Sequence, residues 1–289
     1  MLVNASGCLD ALTAPEVARG LDGFVTKTVT PLPRQGNEPV RIVETDAGML
    51  NSIGLANPGI DAFVADALPR LAELDVPVWV SAGGFSAADY AHVCARLDDR
   101  LEVAAVELNV SCPNVAAPEE AAAAIVRTAR EATSKTLYVK LSPALPDIAS
   151  VAAAVAEAGA DGLSLVNTLR GLALDPRTLS PVLATASGGL SGPGLRPVAL
   201  AAVYGAYRAT GLPIVGMGGV ETGEHALELI AAGASAVALG TVLFADPEAP
   251  ARVREELAAE VAARGFATPL AARGRAHPEP PPQPLRAVA

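Results

Sequence analysis

Eight short apolar segments alternate along this chain with longer stretches whose apolar residues recur at helical spacing. Continuous apolar runs are typical of parallel strands that are covered on both faces. Strands and helices alternating in this way predict an α/β fold, and eight such units match a (β/α)8 or TIM barrel. We predict strands near Leu2–Ala5, Phe24–Thr30, Val76–Ser81, Val103–Val110, Leu137–Leu141, Gly162–Asn167, Pro213–Gly216 and Ala236–Leu239.

The stretches between these segments predict the helices of the barrel. Several begin at a proline or a small polar residue and end near a glycine, as helix termini commonly do. We predict helices near Pro15–Leu21, Gly59–Leu74, Ala87–Leu97, Pro118–Thr133, Pro146–Ala158, Pro197–Thr210, Gly223–Ala232 and Pro247–Arg264.

The length of 289 residues suits one barrel domain followed by a tail. We assign residues 1–265 to the barrel and expect residues 266–289, which include the Pro-rich run Pro278–Pro284, to form a disordered tail. Two stretches, 31–57 and 171–194, are too long for simple strand-to-helix loops. Because both would follow strands at the same rim, we expect them to form a lid over one mouth of the barrel.

Composition excludes several classes of protein. Hydrophobic residues make up 51% of the chain and charged residues 18%, which excludes a mainly disordered protein. The net charge of −10 argues against binding to nucleic acid or to an anionic membrane surface. The chain shows neither a signal peptide nor a membrane-spanning run. Its three cysteines form no CxxC motif, so we expect a cytoplasmic protein with reduced thiols.

Polar residues recur where the predicted strands end. Active sites of (β/α)8 barrels are built at the carboxyl ends of the strands. Lys27 and Lys140 are more unusual, because each lies within an apolar strand and a buried ammonium group needs an anionic partner. The other polar residues at these positions are Ser6, Ser81, Asn109, Cys112, Asn167 and Thr168.

Glycines after the last two strands favour a phosphate site. Gly218 and Gly219 follow the seventh strand, and Gly240 and Thr241 follow the eighth. Phosphate groups often bind there, on backbone amides. Plain tight turns are the alternative, and we favour phosphate. A Rossmann dinucleotide site is disfavoured, because the glycine-rich turns come late and no acidic residue ends a following strand.

The turn Asn109–Asn114 supplies the best candidate for a catalytic base. Asparagine side chains both donate and accept hydrogen bonds, so a pair of them can hold a planar amide or imide ring. Cys112 lies between the two asparagines, and its thiolate can act as a base. A structural role is the alternative for any cysteine, and it suits Cys94, which lies on an apolar helix face. None of the three histidines falls at the rim, which argues against a Ser–His–Asp triad and against a metal site.

Taken in order, these motifs resemble the catalytic subunits of class 1 dihydroorotate dehydrogenases, most closely those of class 1B. The resemblance extends over about residues 2–250 and rests on an ordered set of segments. These are Asn4–Gly7, Thr26–Thr28, Asn51–Gly59, Leu108–Asn114, Val139–Pro143, Val166–Leu169, Gly188–Pro193, Gly216–Val220 and Ala232–Val237.

The resemblance implies an FMN enzyme that oxidises (S)-dihydroorotate to orotate in pyrimidine (UMP) biosynthesis. Cys112 would remove the C5 proton, and hydride from C6 would pass to the flavin. The implied substrate-binding residues are Lys27, Asn51, Ser52, Ile53, Gly54, Leu55, Asn109, Asn114, Asn167 and Thr168. The implied FMN-binding residues are Ser6, Lys27, Thr28, Ser81, Asn109, Lys140, Val166, Gly192, Gly218, Gly219, Gly240 and Thr241.

The resemblance also implies partners. A class 1B subunit passes electrons to a separate subunit that carries FAD and a [2Fe–2S] cluster, and so to NAD, within a heterotetramer; a homodimer is the other family arrangement. Two alternatives stay open: a related flavin barrel acting on another dihydropyrimidine, and a non-catalytic flavin-binding paralogue. Lys27 and the loop Asn51–Asn57 favour a carboxylated substrate, and the presence of Cys112 argues against a paralogue.

Overall fold

Eight parallel strands form a closed barrel at the centre of the molecule, which confirms the predicted fold class. The computed structural model describes residues 1–110 and 118–279. The strands in barrel order are β1, β12, β11, β8, β7, β6, β5 and β2, and a parallel bridge between Val3 and Gly23 completes the ring. The strands are β1 Leu2–Asn4, β2 Phe24–Val25, β3 Ile42–Thr45, β4 Gly48–Asn51, β5 Val78–Ala82, β6 Val103–Val110, β7 Thr136–Leu141, β8 Gly162–Leu165, β9 Leu169–Leu172, β10 Ser187–Ser191, β11 Ile214–Met217 and β12 Ala236–Leu239.

A buried asparagine joins β1 to β2, the two strands that share few backbone contacts. The Asn4 side chain donates to the carbonyl of Val25 at 2.7 Å and accepts from the Val25 amide at 2.8 Å. Asn4 is fully buried. Its amide therefore substitutes for ladder hydrogen bonds at the seam of the barrel.

The helices surround the barrel close to the predicted positions. The predicted helix near Gly59–Leu74 is present, with its middle turn, Phe63–Ala67, widened to a π-helix before Pro69. No helix within the described ranges is both long and apolar enough to cross a membrane. The α-helices are α1 Pro15–Arg19, α2 Ile60–Ala62, α3 Leu68–Ala72, α4 Ala87–Asp98, α5 Pro118–Ala132, α6 Ile148–Glu157, α7 Arg196–Thr210, α8 Gly223–Ala232, α9 Val242–Ala245 and α10 Ala249–Ala263.

The two long stretches at the rim meet over the barrel mouth. They pair as a four-stranded antiparallel sheet in the order β3, β4, β10, β9. The sequence pattern predicts a lid here but not its strands. Gly48 of β4 lies so close to β10 that a Cβ atom would be 1.9 Å from the carbonyl oxygen of Ser191. The two halves of the lid are therefore packed directly against each other beside Gly192, a residue of the predicted FMN site.

The expectation of a disordered tail is wrong for residues 266–279. This segment contains a 3-10 helix, Pro269–Ala272, and contacts the amino-terminal end of the barrel. Arg273 donates from Nε to the carbonyl of Gly233 and from Nη2 to the carbonyl of Leu212, both at 2.8 Å. The His277 ring stacks on Tyr204 at 3.9 Å. Paired side chains thus order a segment whose composition predicts none; residues 280–289 lie outside the described residues.

Replacing Arg273 by alanine is expected to lower the free energy of unfolding by about 1–3 kcal/mol. The substitution leaves the carbonyls of Leu212 and Gly233 without these donors, and hydrogen bonds from charged groups contribute in this range. Arg275→Ala, two residues away and exposed, is the matched control. Urea denaturation of the three proteins measures the difference, and equal midpoints would show that the segment does not stabilise the barrel.

Candidate active site

A cavity of about 430 Å³ opens at the carboxyl end of the barrel, where sequence reasoning expects the site. Its size falls in the range of cofactor and ligand sites. The cavity brings together Ser6, Lys27, Thr28, Asn51, Ser52, Ile53, Gly54, Leu55, Asn109, Lys140, Val166, Asn167, Thr168, Gly192, Gly218, Gly219, Gly240 and Thr241, all of them predicted. Cys112 and Asn114 lie outside the described residues.

A chain of hydrogen bonds connects the asparagines with the hydroxyl groups deeper in the barrel. Asn167 donates from Nδ2 to Oδ1 of Asn109 at 3.0 Å, and Asn109 donates from Nδ2 to Oγ1 of Thr28 at 3.1 Å. The Thr28 and Ser81 hydroxyl oxygens are 3.0 Å apart. Each partner fixes the orientation of the next, so the two amides present defined donor and acceptor edges. Ser81 is fully buried and lies behind the cavity wall, where it supports Thr28.

A tyrosine outside the barrel anchors the end of β6. Tyr90 of α4 is 2% exposed, and its hydroxyl donates to the backbone carbonyl of Asn109 at 2.9 Å. The bond holds the strand where Asn109 faces the cavity and where the chain leaves toward Cys112. Sequence reasoning misses Tyr90, because its position on α4 is indistinguishable from that of an ordinary core residue.

Two lysines, Cys8 and Glu221 are the titratable side chains that line the cavity. Burial lowers the pKa of Lys27, and the nearby ammonium group of Lys140 lowers it further, although Cys8 partly opposes both effects. Burial raises the pKa of the Cys8 thiol despite the two ammonium groups, so Cys8 is a neutral thiol. Among the described residues, no carboxylate forms an ion pair with either lysine. The cavity is therefore suited to an anionic ligand.

Replacing Lys27 by methionine is expected to stabilise the ligand-free protein at neutral pH. Since the pKa of Lys27 is lower in the folded than in the unfolded state, folding releases a proton between the two values, and wild-type stability rises with pH there. The stability advantage of the variant should thus shrink as the pH rises through the alkaline range. Thermal denaturation at several pH values measures this, with Lys135→Met as the control; a difference independent of pH would contradict it.

Three glycines with positive φ shape the end of the cavity at β10, β11 and β12. The φ values are +102° at Gly192, +123° at Gly218 and +73° at Gly219. A Cβ atom on Gly219 would be 2.8 Å from the carbonyl oxygen of Gly192, so no other residue fits without moving backbone. Thr241 donates to the Ser191 hydroxyl at 2.8 Å beside them. Bare backbone amides beside hydroxyl groups suit a phosphate.

Twelve further residues, among them Cys8, Ser191, Met217 and Phe244, line the cavity but are not assigned to it by sequence reasoning. Met217 ends β11, so its position carried the same signal as the predicted residues, whereas Ser191 ends a lid strand and Cys8 lies in the loop after β1. Phe244 of α9 is 56% exposed at the edge of the cavity. Within residues 1–110 and 118–279, no group of three or more His, Cys, Asp or Glu side chains could hold a metal ion.

The fold and the site define a (β/α)8 barrel whose cavity is suited to an anionic, phosphate-bearing ligand beside an amide-lined pocket. Sequence comparison gives the family: the profile of dihydroorotate dehydrogenase matches residues 1–261, and the chain belongs to this family. The family is flavin-dependent. The cavity fits such a group, since it offers two ammonium groups, amide donors and acceptors, and the glycine cradle.

The most similar relatives include catalytic subunits of NAD-linked enzymes. The dihydroorotate dehydrogenase B (NAD(+)) catalytic subunit of Desulforudis audaxviator is 50% identical over 245 residues, which are 82% of this chain and 80% of that protein. The corresponding subunit of Latilactobacillus sakei is 46% identical over 90% of this chain and 89% of its own.

A solved structure supports the fold alone. Dihydroorotate dehydrogenase from Eimeria tenella, determined in complex with ferulenol, superposes with a TM-score of 0.80 at 24% identity and covers 96% of this chain and 85% of its own.

Proposed function

We propose that this protein uses FMN to oxidise (S)-dihydroorotate to orotate in pyrimidine biosynthesis. The observation that supports this most directly is that one cavity is lined by the asparagine network, the glycine cradle and two lysines. Relatives at 46–50% identity are named dihydroorotate dehydrogenases, which agrees with this activity.

The asparagine side of the cavity would bind the substrate. Asn109 and Asn167, fixed by their mutual hydrogen bond, would pair with the planar ring, together with Asn51, Thr168 and Asn114. The residues Ser52, Ile53, Gly54 and Leu55 would close over it from the lid. Lys27 would attract the substrate carboxylate, whose negative charge offsets the cost of a buried ammonium group.

The opposite side would bind the flavin. Amides of Gly192, Gly218, Gly219 and Gly240, with Thr241, would hold the phosphate, while Ser6, Thr28 and Val166 would contact the ring system. The flavin, when bound, supplies the hydride acceptor. Lys140, whose side chain is 5% exposed, would stabilise the negative charge that reduction adds.

Cys112 would act as the general base at C5 of the substrate. Its thiolate would take the C5 proton as hydride leaves C6 for the acceptor that the flavin supplies, so that the C5–C6 bond becomes a double bond. Cys8 is unsuited to this role, because burial keeps its thiol neutral.

The electron acceptor and the assembly are further parts of the proposal. We infer a heterotetramer with a separate subunit that carries FAD and a [2Fe–2S] cluster and passes electrons to NAD; a homodimer is the alternative assembly. A relative from Solibacter usitatus, 46% identical, is named as a putative fumarate-linked enzyme, so fumarate is the acceptor to test against NAD. Reduced thiols such as Cys8 and Cys94 favour the cytoplasm.

An anaerobic titration of the purified protein with dihydroorotate tests the function. We expect a yellow protein whose flavin absorbance bleaches on addition, and release of FMN on denaturation. Dihydrouracil, which lacks the carboxylate, is the matched control and should leave the colour unchanged. Bleaching by dihydrouracil alone would move the activity to another dihydropyrimidine, and a yellow protein that neither compound reduces would indicate a flavin-binding paralogue.

A further inference from the structure

Glu107 is a buried acidic side chain that the proposed reaction does not use. It lies in β6 and is 1% exposed, and no other Asp or Glu occurs within the eight barrel strands. Its Oε1 atom has no hydrogen-bond partner, and neither has the buried hydroxyl of Ser164 in β8. Because buried polar groups are nearly always paired, these two atoms require an explanation.

The strand register places both residues in one layer of the barrel interior. Glu107 is opposite Tyr138 of β7, and Tyr138 is opposite Gly162 of β8. Strands of such a barrel are staggered by about one residue each, so alternate strands contribute to the same layer. β8 lies two strands beyond β6 in the ring, and its residue at the same height along the barrel axis as Glu107 is therefore Ser164.

The layer immediately above is the floor of the cavity. It includes Lys140, which is opposite Ser164 in the register and lines the cavity. The layer immediately below contains Trp79 and Tyr138, whose ring centroids are 4.6 Å apart. Glu107 thus lies between an aromatic layer, which offers it no cation, and the layer that contains an ammonium group.

The position of Glu107 matters for the balance of charge around the cavity. A buried carboxylate without a nearby positive charge is costly, and the two lysines of the cavity have no carboxylate within ion-pair distance among the described residues. Coulomb interaction in a protein interior extends well beyond contact distance. A carboxylate in the layer next to that of Lys140 can therefore offset part of its charge without a direct contact.

We propose that Glu107 is a positioning residue that acts through Lys140, as the ionised counter-charge beneath the flavin site. It stabilises the ammonium group of Lys140, and its negative charge opposes the addition of electrons to the flavin above. Glu107 therefore sets the flavin potential lower than Lys140 and Lys27 alone would set it. This inference rests on the proposed function, because it concerns a flavin held above Lys140.

The test compares Glu107→Gln with Glu107→Asp in the flavin-loaded protein. The flavin potential of every variant is measured at the same pH. At a fixed ambient potential, we expect Glu107→Gln to raise the ratio of reduced to oxidised flavin at least tenfold. For a two-electron couple this corresponds to a rise of about 30 mV in the midpoint potential. Glu107→Asp, which keeps the charge, should stay near wild type, as should the exposed control Glu255→Gln.

A residue that only fills space would give the opposite order, with Glu107→Gln near wild type and the shorter Glu107→Asp displaced. Equal flavin potentials in wild type and Glu107→Gln would overturn this inference, but the proposed oxidation of dihydroorotate would stand. Failure of the wild type to bind FMN or to be reduced would instead contradict the proposed function.

A second measurement needs neither the Gln variant nor the flavin. The isotope-edited infrared spectrum of glutamate-labelled wild type, minus that of Glu107→Asp, is expected to show an ionised carboxylate band at neutral pH. A band of a protonated acid would overturn the proposal.

Discussion

Replacing Cys112 by serine is expected to slow reduction of the bound flavin by dihydroorotate about 10²- to 10⁴-fold at neutral pH. This is the range that a positioned general base contributes. A thiol of ordinary pKa, about 8.5, is partly ionised near neutrality, whereas a serine hydroxyl is not. FMN content should be unchanged, because Cys112 is predicted to act on the substrate. Anaerobic stopped-flow absorbance measures the reduction rate in both proteins.

A second cysteine provides the control for this substitution. Cys94 of α4 is fully buried, and burial raises the pKa of its thiol to about 12. Cys94→Ala should therefore reduce the flavin at the wild-type rate. A wild-type rate in Cys112→Ser as well would remove Cys112 from the mechanism and would require another base in the cavity.

The barrel strands could be predicted because strands covered on both faces appear in the sequence as runs of consecutive apolar residues. Runs such as Val103–Val110 and Leu137–Leu141 are largely apolar and lack the alternation of a half-exposed strand, which is typical of a parallel sheet covered on both faces. Once the eight strands are placed, topology alone assigns their carboxyl ends to one rim. This is why Lys27, Asn109 and Asn167 could be assigned to one cavity although they are far apart in the sequence.

The lid sheet and the carboxyl-terminal segment could not be predicted, because their order depends on distant partners. β10 contains two glycines and has little intrinsic strand preference; it pairs with β4, more than a hundred residues earlier. Arg273 orders its segment only by meeting two carbonyls of the folded barrel. That Glu107 Oε1 lacks a partner is likewise visible only in the folded structure. Its position in an apolar strand, however, is as unusual in the sequence as the positions of the two lysines.

Replacing Lys140 by methionine is expected to weaken FMN binding about 10- to 100-fold and to make the flavin harder to reduce. Hydrogen bonds and charge interactions with an ionised group contribute about 1.5–3 kcal/mol, which corresponds to this range. Removing a positive charge beside the flavin also disfavours the added electrons, so the potential should become more negative. Equilibrium dialysis and a redox titration measure the two effects. Lys135→Met, at the opposite end of β7, where Lys135 donates to the carbonyl of Arg100, is the control.

The same substitution also tests whether the charges of Lys140 and Glu107 interact inside the barrel. If Glu107 is the counter-charge of Lys140, Lys140→Met leaves a buried carboxylate uncompensated, and the ligand-free protein should lose stability. Adding Glu107→Gln removes that charge and should recover most of the loss, while FMN binding stays weak because the ammonium group is still absent. Independent, additive effects of the two substitutions on the free energy of unfolding would show that the residues do not interact. Recovery of stability without recovery of FMN binding would place Glu107 beneath the site as an electrostatic partner and Lys140 within it as the residue that meets the flavin.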